Sequence, residues 1–178
     1  MDDSLMRLNT YISQMVNDAR KGEESKITHI DIEMLVEEIR SNFQFIPTAE
    51  SIRFEPVFEL SKPVYTDYLR LQMILNNLIS NSIKYHRLDQ EDPYVRVLIR
   101  SNEFTIHMEV QDNGIGIEED RLEDIFNKWE RASEKAEGTG IGLDIVRKAV
   151  MQLEGSIHVD SEIGTGSTFT VVIPNNRI

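Results

Sequence analysis

The sequence has no cysteine, no long apolar run and no excess of basic residues. The absence of cysteine among the 178 residues excludes disulfide bonds, thiolate nucleophiles and cysteine–zinc sites. No apolar run approaches the ~20 residues that a membrane-spanning helix needs, and the acidic, polar start at residues 1–4 is unlike a secretory signal. The net charge of −12 argues against nucleic-acid binding, which normally uses a basic face. Such acidity is typical of a solvated surface, and the alternative is selection of a basic partner.

Residues 1–22 form a first predicted unit, a helix with a heptad seam. Its apolar residues recur at spacings of four and three, and they are Met1, Leu5, Leu8, Ile12, Met15 and Ala19. Lys21 and Gly22 are typical of a helix end. We expect this short helix to pair in a bundle or with a second copy, with packing on its own domain as the alternative.

Residues 27–178 form the second predicted unit, an α+β two-layer sandwich. Its periodicity predicts three helices, a further helical piece and seven strands, with a kink in one strand at Pro56. The helices are at 32–42, 68–85 and 141–153, the helical piece is at 119–125, and the strands are at 27–30, 51–60, 64–66, 94–100, 104–111, 156–161 and 167–173.

The long helix carries polar residues on one face. Asn77, Asn81, Lys84 and Tyr85 follow one another at intervals of four, three and one. An asparagine carbonyl is a suitable ligand for Mg²⁺, a lysine can reach a phosphate, and a tyrosine ring can cover a base. A solvent-facing stripe is the alternative, although asparagine is a poor helix former.

Two glycine-rich turns follow the helix. Asp112 ends an apolar strand and enters the turn 113–117, where its carboxylate can accept a hydrogen bond from an exocyclic amine such as that of adenine; a turn closed by an Asx hydrogen bond is the alternative. The second turn, 138–142, precedes a helix, and the free N–H groups of a helix start bind anions such as phosphates. A plain glycine-rich cap is its alternative.

The long segment 117–139 between these turns is typical of a lid. Phe126 and Trp129 are suited to anchor it, with ordinary core packing as the alternative. Arg131 is placed to reach a terminal phosphate.

These stretches resemble the N box and the two glycine boxes of the GHKL ATPase/kinase superfamily, in its sensor histidine kinase branch. Residues 125–131 resemble that branch's F box, and residues 164–169 resemble its closing glycine motif. The resemblance covers 27–178 and implies a Bergerat fold: a mixed, mainly antiparallel sheet with about three helices on one face. It also implies that ATP and Mg²⁺ bind under a mobile lid. Ser82, where alanine is usual, is a small departure.

The resemblance implies a role for each matched residue. Asn81 would ligate Mg²⁺ with help from Asn77, Asp112 would bind the adenine amine, and Tyr85 would cover the nucleoside. Lys84, Arg131 and the second turn would handle phosphates. The remaining residues implied around the nucleotide are Gly114, Gly116, Ile117, Gly138, Thr139, Gly140, Ile141, Gly142, Leu143 and Thr168.

Asn77 separates kinases from hydrolases in the superfamily. Water-cleaving members such as gyrase and the mismatch-repair ATPases carry a glutamate at this position, and an amide cannot accept the proton of water. We therefore expect phosphoryl transfer to a histidine, by resemblance one on a dimerisation domain. None of the four histidines here is followed directly by an acidic residue. We accordingly expect a fragment of a longer kinase that cannot phosphorylate itself.

The expected partners follow from the same resemblance. They are the histidine-bearing dimerisation domain, a response regulator receiver domain and a second copy through residues 1–21, with no nucleic acid and no direct membrane contact. The expected location is cytoplasmic, and anchoring of the parent protein in a membrane stays open. Two other functions stay open as well: a GHKL-type ATP hydrolase, and a nucleotide-binding interaction module without catalysis.

Overall fold

The structure is a computed structural model that describes residues 26–43, 46–87, 89–126 and 142–176. The predicted heptad helix of residues 1–22 and the turn at 138–141 lie outside these ranges. Across the described part of the chain, no helix combines the length and the apolar character needed to cross a membrane.

Three α-helices and seven β-strands make up the described chain. In chain order they are β1 (Ile27–Ile30), α1 (Ile32–Phe43), β2 (Arg53–Leu60), β3 (Val64–Asp67), α2 (Tyr68–Lys84), β4 (Tyr94–Ser101), β5 (Thr105–Asp112), α3 (Gly142–Gln152), β6 (Ser156–Glu162) and β7 (Gly166–Pro174). Short 3-10 segments lie at Pro47–Ser51 and Glu119–Arg121. Every helix and strand predicted for residues 27–178 is present, except that the helical piece at 119–125 is shortened to the second 3-10 segment.

The main sheet is mixed and mainly antiparallel, in the order β2-β4-β5-β7-β6. Only the β2–β4 pair is parallel, and β1 pairs with β3 in a small separate sheet. Alternate residues of β4 and β5 are buried, and all three helices contribute to the same apolar cluster. One face of the sheet therefore carries the helices, which confirms the predicted α+β sandwich.

Strand β2 is continuous through Pro56, the residue at which the sequence predicts a kink. It lies at the edge of the sheet, and among the described strands only β4 is its neighbour. A proline can be accommodated there because its missing N–H need not belong to a ladder hydrogen bond.

Helix α2 is the element that positions the polar face. Its N-cap is Asp67, whose carboxylate accepts the backbone N–H of Arg70 at 3.0 Å, as predicted. Its apolar stripe is completely buried against the sheet: Leu71, Ile74, Leu75, Leu78 and Ile79. Packing of that stripe fixes the rotation of α2, so the direction of its asparagines is fixed too.

Candidate functional site

Two asparagine amides of α2 face the start of α3. The Asn77 side chain is only 5% exposed, and its Nδ2 donates to the carbonyl oxygen of Met73 at 2.8 Å. A methyl group added to Gly142 would lie 3.1 Å from Asn77 Oδ1 and 3.9 Å from Asn81 Oδ1. Both amide oxygens therefore approach one point at the beginning of a helix. Two hard oxygens near a helix N-terminus suit a cation together with the phosphates that accompany it.

The end of α2 is joined to the first glycine turn through Tyr85. The Tyr85 carbonyl accepts the N–H of Ile115 at 3.0 Å. The ammonium group of Lys84 lies 5.1 Å from the centroid of the Tyr85 ring, a cation–π distance. The end of the helix and the turn are thus joined directly, with a cation and an aromatic ring at the junction; the space beside them is called the cleft below.

Asp112 ends β5 and is buried, with 8% exposure. Its Oδ1 accepts the N–H of Gly114 at 2.9 Å, so the Asx turn considered above is present. Burial raises the pKa of Asp112, and the Gly114 N–H, the Ser82 hydroxyl and the Ser167 N–H oppose that rise. A carboxylate held in this way is a strong acceptor for a donor entering the cleft.

Sequence reasoning missed two serines, Ser161 and Ser167. Together with Asp112 they form a row of polar side chains across β5, β7 and β6, called the polar floor below. The register pairs Asp112 with Ser167 and Ser167 with Ser161. The two serine hydroxyls are 2.8 Å apart, and Ser161 Oγ also accepts the N–H of Ile117 at 2.9 Å. The alternation Ser167, Phe169, Val171 contained the signal, because it places Ser167 on the buried face.

Thr168 does not join this floor, although it was predicted to line the nucleotide site. It pairs with Gln111 and Asp160, so it lies on the sheet face opposite to that of Asp112. The register therefore places Ser167, and not Thr168, on the same face of the sheet as Asp112.

The glycines of the first turn are required by neighbouring backbone atoms. A Cβ at Gly114 would lie 2.4 Å from the Tyr85 carbonyl oxygen, and a Cβ at Gly116 would lie 2.0 Å from that of Glu162. Gly116 also has a φ of +72°, which glycine adopts without strain. We expected these glycines to let the backbone approach a base, whereas their immediate role is to let the turn pack against α2 and β6. Ile117, next in the turn, is 8% exposed and belongs to the core.

The beginning of the predicted lid is anchored to the sheet. The ring of Phe126 meets Phe169 of β7 edge-on, with centroids 6.4 Å apart. Leu143, just after the second turn, packs on the apolar cluster. The predicted residues Trp129, Arg131, Gly138, Thr139, Gly140 and Ile141 lie outside the described ranges.

Three comparisons with known proteins agree with one another. Residues 66–177 match the family model of the histidine kinase-, DNA gyrase B- and HSP90-like ATPases. The aerobic respiration control sensor protein ArcB of Escherichia coli (strain K12) is 42% identical over 132 residues, which are 70% of this chain and 16% of ArcB. This chain therefore spans about a sixth of the length of that relative.

Two solved structures share the fold. Full-length ShkA in complex with AMPPNP has a TM-score of 0.72 and 25% identity, over 98% of this chain and 38% of ShkA. The catalytic domain of the histidine kinase ThkA has a TM-score of 0.70 and 24% identity, over 85% of this chain and 99% of that domain. The chain belongs to the histidine kinase-, DNA gyrase B- and HSP90-like ATPase family, as an ATP-binding catalytic domain of the sensor histidine kinase type.

Proposed function

We propose that the cleft binds Mg-ATP and presents its γ-phosphate to a histidine carried by a separate dimerisation domain. The observation that carries this proposal is the amide at position 77, whose nitrogen is already bonded to the Met73 carbonyl and whose oxygen faces Gly142. A neutral amide does not take a proton from water. The incoming nucleophile is therefore a side chain that brings its own lone pair, as the imidazole of a histidine does.

The amide oxygens fit a magnesium ion. Asn81 is the proposed ligand and Asn77 its support, since their Oδ1 atoms approach the same point at Gly142. Mg²⁺ is commonly held by few protein oxygens together with water and phosphate oxygens. Lys84, Arg131 and the turn 138–142 are proposed to hold the phosphates, next to the N-terminus of α3. Catalysis in such a transfer consists mainly of positioning and charge stabilisation.

The base is proposed to lie on the polar floor at Asp112. The carboxylate accepts the exocyclic amine of adenine, while Gly114, Gly116 and Ile117 shape the adjoining turn. The Tyr85 ring, held near Lys84, covers the nucleoside. The Ser161–Ser167 pair extends the hydrogen-bonding edge beside the base.

The proposed partners are the histidine-bearing domain, a receiver domain and a second copy through residues 1–21, in the cytoplasm. The relatives that are named as sensor proteins support this assignment. The greater length of ArcB leaves room for additional domains, since this chain matches only 16% of it.

Calorimetry with Mg-ATP tests the cleft. We expect Asn81→Ala and Asp112→Ala to weaken binding roughly 10- to 100-fold, because each removes a polar group that nothing else replaces. Asn176→Ala and Asp120→Ala are matched controls at exposed positions, and they should bind like the native chain. Native affinity in both cleft variants would refute the site.

Phosphotransfer tests the reaction itself. The chain should show no acid-labile radioactive phosphate when incubated alone with γ-labelled ATP. Labelling should appear on a separately added dimerisation domain of a related sensor kinase, and it should be lost when the acceptor histidine is replaced. Steady release of inorganic phosphate without an acceptor, at several turnovers per minute, would indicate a hydrolase instead.

A further inference from the structure

Ser82 of α2 carries a buried hydroxyl near the Asp112 carboxylate. The residue is 2% exposed, and its Oγ has no hydrogen-bond partner among the described residues. Buried polar atoms of native proteins are nearly always paired, so an orphaned hydroxyl calls for an explanation. An alanine at this position would fill the same space with no polar atom to satisfy.

The surroundings of the hydroxyl point to the base-binding carboxylate. Ser82 Oγ is close enough to the Asp112 carboxyl to lower its pKa, yet the two groups do not reach the geometry of a hydrogen bond. The side chains one turn earlier in α2, Leu78 and Ile79, are apolar and completely buried, and so is most of the following Ile83. The Asp112 carboxylate is a side-chain acceptor near the Ser82 hydroxyl.

We propose that Ser82 is a positioning residue for base recognition, which donates its hydroxyl hydrogen to the Asp112 carboxylate when the nucleotide binds and so fixes the orientation of that carboxylate. This inference rests on the proposed ATP site. An ionised Asp112 accepts from the exocyclic amine of adenine and repels the oxo group of hypoxanthine. Ser82 therefore contributes to the preference for an aminopurine over an oxopurine.

Few hydrogen-bond donors face the Asp112 carboxylate. They are the N–H of Gly114 from the turn, the N–H of Ser167 from β7 and the hydroxyl of Ser82 from α2. Among the described residues no charged side chain shifts the Asp112 pKa. Because burial is the largest effect and opposes ionisation, loss of the single side-chain donor moves the titration of Asp112 to higher pH.

The test measures the binding of ATP and of inosine triphosphate to the full chain between pH 5.5 and 8. For Ser82→Ala we expect ATP affinity to fall about tenfold at pH 5.5 and less at pH 8, because hydrogen bonds to a charged group contribute more than neutral ones. The midpoint of the pH profile should move upward, and the ratio of ATP to inosine triphosphate affinity should fall. Ser80→Ala, a half-buried serine of the same helix, is the control and should match the native chain.

A second measurement separates positioning from folding. The melting temperature of ligand-free Ser82→Ala should equal or exceed that of the native chain, since the variant removes an orphaned polar atom. A lower melting temperature, or an unchanged pH midpoint together with an unchanged affinity ratio, would overturn the role of Ser82. If Asp112→Ala bound ATP like the native chain, the proposed ATP site would fail instead, and this inference with it.

Discussion

Gly142→Ala tests the meeting point of the two asparagines. Gly142 is the first residue of α3, and the atoms nearest to an added methyl group all belong to side chains. They are Asn77 Oδ1 at 3.1 Å, Asn81 Oδ1 at 3.9 Å and Asn77 Cγ at 4.0 Å. The methyl group would therefore enter the cleft without touching the backbone.

The expected effects on stability and on binding differ in size. Alanine is favoured over glycine within a helix by up to about 1 kcal/mol, which offsets the cost of the 3.1 Å contact. To relieve that contact the Asn77 amide must turn, and its bond to the Met73 carbonyl, worth about 1 kcal/mol, opposes the turn. The net change in the free energy of unfolding should stay within about 1 kcal/mol. Mg-ATP loses both space and amide orientation, so its affinity should fall about tenfold or more, equivalent to about 1.4 kcal/mol.

Gly164→Ala is the control variant, which we expect to lower stability without changing Mg-ATP affinity. Gly164 has a φ of +78°, and the described residues place no atom within 4 Å of an added Cβ, so the substitution causes backbone strain but no clash with them. It should cost about 1 kcal/mol or slightly more in unfolding free energy while Mg-ATP affinity stays native. Urea denaturation and calorimetry on both variants measure these quantities. Native Mg-ATP affinity in Gly142→Ala would show that the two amides do not contribute to the ligand site.

Two further substitutions test the buried charges. Burial raises the Asp112 pKa, so this carboxyl favours folding at low pH and that contribution is lost as the pH rises through the folded pKa. Asp112→Asn should therefore gain stability relative to the native chain as the pH increases from 4 to 8 in urea titrations, while ATP binding is lost; a pH-independent difference would contradict the linkage. Asp67→Ala removes the N-cap of α2 and the 2.7 Å partner of the buried Arg70. It should lower the unfolding free energy by about 3 to 5 kcal/mol, and a loss below about 1 kcal/mol in the same assay would refute that account.

Local patterns in the sequence predicted most of the elements. The stripe that includes Leu71 and Leu78 recurs with the period of a helix, and Asp67 precedes it as a cap. These local patterns predict α2 without any knowledge of tertiary contacts. The strict alternation in β4 and β5 predicted two half-buried strands for the same reason. The edge position of β2, which lets the strand continue through Pro56, depends on its neighbours and could not be predicted from the local pattern.

The candidate site, too, has one part that the sequence predicts and another that only the tertiary structure determines. The four-residue spacing of Asn77 and Asn81 places both amides on one helical face, and this is a property of the helix alone. The choice between Ser167 and Thr168 depends on which face of β7 is covered by helices. A shift of one residue in register exchanges the two faces of a strand. A short motif such as residues 164–169 therefore predicts which segment contributes to the site, but not which of its side chains does.

The sequence by itself determined the chemical groups available, an amide in place of a general base at Asn77 and a carboxylate at the end of an apolar strand. Only the tertiary structure decided which groups meet, because Ser82, Asp112 and Ser167 come from three separate segments of the chain. Their proximity is set by the packing of α2 on the sheet and by the β5–β7 register. Whether the Ser82 hydroxyl has a hydrogen-bond partner depends on that packing, so no local pattern in the sequence can predict it.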